Sequence, residues 1–457
     1  MSVRARRVHV IGIGGIGLSA IARVLLARGY EVSGSDANRS EITDELERLG
    51  VQVSIGHRAE NVGNCDLVLV TSAAPADNPE LAEARRRGIR IVKRSDFFSE
   101  LTAGMDTIAV AGTHGKTTTT GMIATILADA GLDPTAVVGG IIPELGSNAR
   151  VGRGRYFVVE ADEYDRAFLG LRPRIAVVTS IEMDHPDCYR NVDEIADSFH
   201  DLLSTVPADG LIVGCGDAER VTQELVRISG PKMMRYGLNS YNDWRATGIQ
   251  QQVNRGSTFQ VIHGSSSLGE FDLQVPGLHN ILNALAALAV ADHLGVDRAS
   301  ARATLSRFRG AARRFEVKGE FGGVIIVDDY AHHPTEIRAT LAAARSRYPG
   351  RALWAVFQPH TFSRTRALLD EFANSFVDAD HVLVTEVYAA RERESFGTSG
   401  AQIVERMNHP DASYVRTLDG CALFLDKHLR AGDVLITLGA GDVNRVATRV
   451  ATARQGA

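Results

Sequence analysis

A glycine-lysine turn set between an apolar run and a helix-period segment constrains this chain more than any other feature. Thr107-Ile108-Ala109-Val110-Ala111 reads as a buried strand and Gly112-Thr113-His114-Gly115-Lys116-Thr117 as a turn. Met122, Ile123, Ile126, Leu127 and Ala130 then fall on one helix face, stopped by Gly131. Strand, glycine loop, Lys, Thr and helix in that order is the context of a phosphate-binding loop. Glycines let backbone N–H groups close around phosphate oxygens, and the helix start adds partial positive charge. Lys116 is expected on the outer phosphates of ATP and the Thr117 hydroxyl on Mg²⁺. The loop is shorter than the usual G-x-x-x-x-G-K-[ST], because Val110 stands where the first glycine would be.

A loop of this kind needs a carboxylate at the end of a neighbouring strand. The run Tyr156-Phe157-Val158-Val159 ends in Glu160, the expected metal ligand. Asp162, Glu163 and Asp165 follow and read in part as solvated loop charges. A further strand, Ile175 to Val178, leads into Ser180-Ile181-Glu182-Met183-Asp184-His185. His185 there is either a second metal ligand or a structural residue, since Mg²⁺ prefers oxygen donors.

Short apolar runs alternate with helix-period segments along the whole chain, which predicts βαβ units and parallel sheets. At 457 residues about three domains are expected. Lys and Arg number 50 against 55 Asp and Glu, a balance that argues against nucleic acid as the main partner. No apolar run is long enough for a membrane span, and the start at Met1 has no secretory pattern. Cys65, Cys188, Cys215 and Cys421 are scattered, which suits reduced thiols in the cytoplasm rather than a zinc site.

Near the amino terminus, Gly12-Ile13-Gly14-Gly15-Ile16-Gly17 follows Val8-His9-Val10-Ile11 and precedes a helix. The next strand, Glu31-Val32-Ser33-Gly34-Ser35, ends at Asp36. This is a pyrophosphate-binding pattern with an acid placed for a ribose hydroxyl. NAD would be its default ligand, but a UDP-sugar offers the same diphosphate and ribose, so the motif does not choose.

Later motifs also follow strand-like runs. Asn280 and Asn283 share a helix face and either read an adenine edge or cap the helix. Arg313-Arg314-Phe315 is a phosphate clamp or linker charge. Asp328-Asp329-Tyr330-Ala331-His332-His333-Pro334 follows a fully apolar strand, where α/β folds place ligands. Phe357-Gln358-Pro359-His360-Thr361-Phe362-Ser363-Arg364 and Gly439-Ala440-Gly441-Asp442 end two more strands.

In this order the motifs resemble those of the Mur ligases over nearly the whole chain. The resemblance implies a three-domain α/β protein. Residues 1–105 would be a Rossmann-like domain holding a UDP-sugar. Residues 106–312 would be a P-loop ATPase-type parallel sheet with a small antiparallel excursion over 237–275. Residues 313–457 would be a Rossmann-like domain that closes on ATP and the amino acid. The implied activity is ATP-dependent joining of L-alanine to the lactyl carboxylate of UDP-N-acetylmuramate, through an acyl phosphate, for peptidoglycan synthesis. Gly14, Gly15 and Ile16 would contact the UDP diphosphate and Asp36 the nucleoside. Gly112 to Thr118 would hold ATP phosphates, with Thr117, Glu160 and His185 on Mg²⁺. Asn280 and Asn283 would lie near adenine, Arg314 near the phosphates and Asp329 at the ATP ribose. Tyr330, His332, His360 and Arg364 would line the amino-acid and muramoyl-carboxylate site, with His332 accepting the amine proton. The enzyme would be cytoplasmic, a monomer or weak homodimer.

Ser180 stands where the family usually has Asn, and Thr361 where many members have Arg. No lysine occurs between His185 and Lys232, which fits the alanine-adding branch. Sister ligases use a carbamylated lysine after the equivalent histidine. The alternatives are a ligase that attaches a ready-made tripeptide to the same sugar, and an NAD-binding oxidoreductase.

Overall fold

A computed structural model describes residues 7–71 and 74–455 of the chain. The basic start before Arg7 lies outside the described residues. Three sheets carry the fold, and the chain forms two compact units, each described by itself. One comprises Met1–Ile181, Ile195–Tyr236 and Ala286–Ala301; the other comprises Glu182–Glu194, Gly237–Leu285 and Arg302–Ala457.

The first unit contains two sets of strands, the first all parallel and the second mainly so. Strands β1 (Arg7–Ile11), β2 (Glu31–Asp36), β3 (Gln52–Ile55), β4 (Leu67–Val70) and β5 (Arg90–Lys93) lie in the order β3-β2-β1-β4-β5, all parallel. The order reverses at β1, so the glycine turn after Ile11 lies where open α/β sheets hold ligands. The second sheet uses β6 (Asp106–Ala111), β7 (Thr135–Ile142), β8 (Ser147–Arg150), β9 (Tyr156–Glu160), β10 (Ile175–Val178), β11 (Leu211–Cys215) and β12 (Lys232–Gly237). β10, β6, β9 and β7 run parallel side by side, and β8 folds back antiparallel on β7. β6, β9 and β10 are buried on both faces, which is why each is an unbroken apolar run.

The helix Lys116–Asp129 departs from the one-sided reading. Every residue from Thr117 to Leu127 is buried, so it is covered all round. Its threonines tolerate burial because their hydroxyls find partners. Thr120 Oγ1 donates to Lys116 O at 2.8 Å and Thr125 Oγ1 to Gly121 O at 2.8 Å.

The antiparallel excursion expected over 237–275 is a meander in the second unit, β13 (Trp244–Gln251), β14 (Ser257–His263) and β15 (Ser266–Leu273). The helix Leu278–His293 follows it. The third sheet combines β16 (Glu316–Phe321), β17 (Val324–Asp329), β18 (Leu353–Phe357), β19 (His381–Val384), β20 (Ala412–Tyr414) and β21 (Val434–Leu438). Their order is β16-β17-β21-β18-β19-β20, parallel except for the edge strand β16. Helix Pro334–Arg347 covers one face through Ile337 and Leu341, and Val446 and Val450 cover the other. Among the described residues no helix is long and apolar enough to cross a membrane. The four cysteines are free.

Candidate active site

The glycine-lysine turn of the first unit is held from the strand beside it. Ser180 O accepts the Thr113 amide at 2.9 Å, and Ser180 Oγ accepts the His114 amide at 3.0 Å. Thr179 Oγ1 donates to His114 O. Gly112 has φ +138°, and a Cβ there would lie 1.9 Å from Thr179 Oγ1. Only glycine fits that approach. Ser180, the departure from the family pattern, is thus a fixing point of the turn.

Inside the turn Lys116 is mostly buried, its side chain 14% exposed, and all three of its donors are used. Nζ donates to Gly112 O at 2.6 Å, Thr113 O at 3.2 Å and Glu163 Oε1 at 2.9 Å. Burial pulls the ammonium's pKa down, but Glu163, Asp162 and Glu160 outweigh it and raise the value above that of a free lysine. Glu163 is 1% exposed, so reading it as a solvated loop charge is corrected. Its isolation in a polar stretch gave no periodic signal. Asp162 pairs instead with Arg94 at 2.5 Å and Asp165 with Lys93 at 3.4 Å.

Glu160 ends β9 as expected. Oε1 accepts from Thr117 Oγ1 at 3.0 Å and Oε2 from the Gly139 amide at 2.6 Å. Burial raises its pKa, opposed chiefly by Lys116. Adjacent oxygens on an octahedral Mg²⁺ lie about 3 Å apart. The Thr117–Glu160 pair therefore presents a suitable edge in a pocket with more carboxylates than cations. Gly139 was missed as a contributor. A Cβ there would sit 2.4 Å from Glu160 Oε1, and the Gly-Gly pair inside an apolar strand is the signal for such an approach.

At the other glycine turn of this unit, Gly12 and Ile13 amides donate to Ser35 O at 2.8 and 3.0 Å. The Gly14 amide donates to Asp36 Oδ2 at 2.9 Å. Asp36, expected at a nucleoside, is engaged here in bracing the turn. Asn148 Nδ2 ties the following helix to β8 through Ile16 O at 2.7 Å.

In the second unit the turn carrying His185 is gripped by the third-sheet domain. Asp184, 4% exposed, accepts Arg364 Nε at 2.8 Å and the His185 amide at 2.6 Å. His333 Nε2 donates to Met183 O at 3.1 Å, and Thr335 Oγ1 to Glu182 Oε2 at 2.7 Å. Arg391 meets Asp187 at 2.5 Å. Burial pushes Asp184 towards its protonated form, but Arg364 overrides it and holds the carboxyl well below the usual range. Arg364, expected on a substrate anion, is thus partly committed to Asp184 and is itself 4% exposed. Thr361 caps the short helix Phe362–Ala367.

The expected amino-acid residues gather beside this pair. Rings of His332 and His360 lie 5.9 Å apart, and His332 and Tyr330 lie 5.3 Å apart. Tyr330 stacks under Arg313 and Arg314 at 5.3 and 5.1 Å. His360 Nδ1 accepts from Arg364 at 3.2 Å, so its proton is on Nε2. His332 Nδ1 faces Tyr330 O at 3.0 Å and carries the proton, leaving Nε2 as the acceptor. Burial lowers the His332 pKa to about 3 and that of His360 to about 2. Both rings are therefore held neutral, and His332 presents Nε2 as an acceptor.

Two further expected sites are also bonded within the protein. Asp329 Oδ2 accepts the Phe315 amide at 2.9 Å and Thr340 Oγ1 at 3.1 Å, and Oδ1 accepts the Ala331 amide at 2.7 Å. Burial raises its pKa to about 6. These bonds fix the turn after β17, where the family pattern suggests the ATP ribose. Asn280 lies inside the helix Leu278–His293 and does not cap it; its Nδ2 donates to Pro276 O at 2.6 Å. Asn283 Nδ2 donates to Asn280 Oδ1 at 3.2 Å, which confirms the shared face. Arg314 pairs with Glu336 at 3.3 Å.

Three family models match in succession. Residues 7–105 match "Mur ligase family, catalytic domain", 110–291 match "Mur ligase middle domain" and 313–441 match "Mur ligase, glutamate ligase domain". The chain belongs to the Mur ligase family. A Geobacter sp. (strain M21) relative, UDP-N-acetylmuramate–L-alanine ligase, is 46% identical over 97% of this chain and 96% of its own. The crystal structure of UDP-N-acetylmuramate-alanine ligase from Thermotoga maritima has a TM-score of 0.84 at 30% identity, covering 98% of this chain and 99% of that one. A murein peptide ligase from Psychrobacter arcticus has a TM-score of 0.75 at 29% identity, covering 99% of each chain. As a Mur ligase the chain is not a dehydrogenase, and its first glycine turn need not hold NAD.

Lys116→Ala would leave Glu163 buried without its cation. Unfolding stability should fall by about 3–5 kcal/mol in denaturant titrations, and Glu163→Gln added to it should recover most of the loss. Arg364→Met should remove the counter-charge of Asp184. An acid whose pKa is depressed on folding contributes stability above its unfolded value, and loses it as pH falls through the folded one. The melting-temperature gap between wild type and variant should therefore shrink as the pH falls through the acid range, because the variant's buried Asp184 takes up its proton before the wild type's does. An unchanged gap down to pH 3 would contradict the pairing.

Proposed function

We propose that this Mur ligase joins L-alanine to the lactyl carboxylate of UDP-N-acetylmuramate, forming an amide and releasing ADP and phosphate, in peptidoglycan precursor synthesis. The observation that carries this reading is end-to-end likeness to the Geobacter alanine ligase at 46% identity. Among solved structures the alanine ligase from Thermotoga maritima matches with a TM-score of 0.84, against 0.75 for the murein peptide ligase. Both ATP and the nucleotide-linked sugar suit a cytoplasmic enzyme.

The chemistry follows from what a carboxylate lacks, a leaving group. A carboxylate oxygen attacks the γ-phosphorus of ATP, the bond to the ADP oxygen breaks, and an acyl phosphate forms. The neutral amine of L-alanine then attacks the acyl carbon. Phosphate departs with the C–O electron pair, and the ammonium proton passes to a base. Lys116 is the cation for the transferred group, and the amides of Gly112 to Thr118 cradle its oxygens. Thr117 and Glu160 would hold Mg²⁺, which supplies positive charge at the phosphates. For His185 as a further ligand, and for Asn280, Asn283 and Arg314 at ATP, the support is the family pattern. Gly14, Gly15 and Ile16 receive the UDP diphosphate, while Tyr330, His332, His360 and Arg364 surround the amino acid and carboxylate. His332, neutral with Nε2 as an acceptor, is the candidate to receive the amine proton there.

Coupled ADP release measured over a panel of amino acids and one tripeptide tests the proposal. Release should require both UDP-N-acetylmuramate and an amino acid, with L-alanine preferred over glycine and L-serine. Release that ignores the sugar would refute it, and preference for the tripeptide would assign the chain to peptide recycling.

A further inference from the structure

Behind the first glycine turn lies a carboxylate that the proposed chemistry does not use. Glu80 is 0% exposed, at the start of the helix Pro79–Arg86, where Asn78 caps the helix by accepting the Glu80 amide at 2.9 Å. Its Oε2 accepts Ser35 Oγ at 2.6 Å, with His57 Nδ1 at 3.4 Å and His9 Nε2 at 3.6 Å. Its Oε1 accepts Asn61 Nδ2 at 2.6 Å and the Arg58 amide at 3.4 Å. Burial alone would push this acid upward, but His9, Ser35 and Asn61 hold it at about 2, so it is ionised at neutral pH.

Two routes run from this carboxylate to the glycine turn. Ser35, which donates its hydroxyl to Glu80, offers its carbonyl to the Gly12 and Ile13 amides. Asn61 uses the same amide nitrogen to hold Gly56 O at 2.9 Å, and the Gly56 amide donates to Asp36 O at 2.7 Å. Asp36 in turn braces Gly14. One charge thus ties together the carboxyl ends of β1, β2 and β3. For stability alone, apolar side chains of similar volume often serve as well as buried charges.

We propose that Glu80 is a positioning residue for the nucleotide-sugar, fixing the glycine turn and Asp36 through Ser35 and Asn61. This rests on the reading of that turn as the UDP diphosphate site. Glu80→Gln keeps the shape but turns an amide NH₂ towards donors. Ser35→Ala removes one route and leaves the carboxylate and Asn61 in place. Calorimetric titration of UDP-N-acetylmuramate, with KM measured for all three substrates, tests the role.

Each variant should raise the Kd for the UDP-sugar by about tenfold or more, with the KM values for ATP and L-alanine changed by less than about twofold. The double variant should bind no worse than Glu80→Gln alone, because the Ser35 route already runs through Glu80. Equal rises in all three KM values would mean a general structural role and overturn the proposal. If Glu80→Gln does not fold, Ser35→Ala alone decides. Asp36→Ala and Gly14→Val form the control arm. If they leave sugar binding intact, the diphosphate reading fails. If they weaken it while Ser35→Ala and Glu80→Gln do not, the Glu80 inference fails.

Discussion

An ammonium group held away from water must be matched by charge and by acceptors, and much of the first unit is arranged around meeting that demand at Lys116. Glu163 supplies the charge, and two carbonyls of the lysine's own turn supply the other acceptors. Those carbonyls can face inward only because Gly112 takes a left-handed conformation against Thr179. Glu160 then stands one strand away with neutral partners only, Thr117 and Gly139, so the pocket retains net negative charge. A triphosphate with its cation would replace these contacts with little further desolvation of Lys116 and Glu160 themselves, since most of that cost is already met by the fold.

The second unit solves a similar problem with opposite polarity. Asp184 is the buried anion, and Arg364 the cation that keeps it ionised. The pair fixes the turn of His185 and orients His360 in one step, because the same guanidinium donates to both Asp184 and His360. In both units a charge at a strand's carboxyl end is held ionised by a neighbour, and the hydrogen bonds around it set the shape of the site.

Strands buried on both faces were legible because they are unbroken apolar runs; β9 and β10 occupy the residues their sequence suggested. The turns after them were legible because glycine, lysine and acid fall at fixed spacing. Edge strands such as β16 and β20 were not, since half-exposed polar residues carry no such pattern. Side-chain partners were the least legible part. Nothing in the order of residues distinguishes Glu163, which holds Lys116, from Asp165, which lies at the surface. Asp329 and Arg364 sit where the family pattern suggested, yet much of their bonding capacity is spent on the protein itself. The same blindness hid Glu80, an acid in a helix whose partners lie on three other segments.

In the proposed function Lys116 rests on Glu163 until a triphosphate takes it, and Thr117 and Glu160 would hold the cation. A crystal structure with Mg²⁺ and a non-hydrolysable ATP analogue tests it most directly. Lys116 Nζ should have moved onto the β- and γ-phosphate oxygens, with the metal bound by Thr117 Oγ1 and Glu160. Nucleotide bound elsewhere, with the Lys116–Glu163 pair undisturbed, would contradict it.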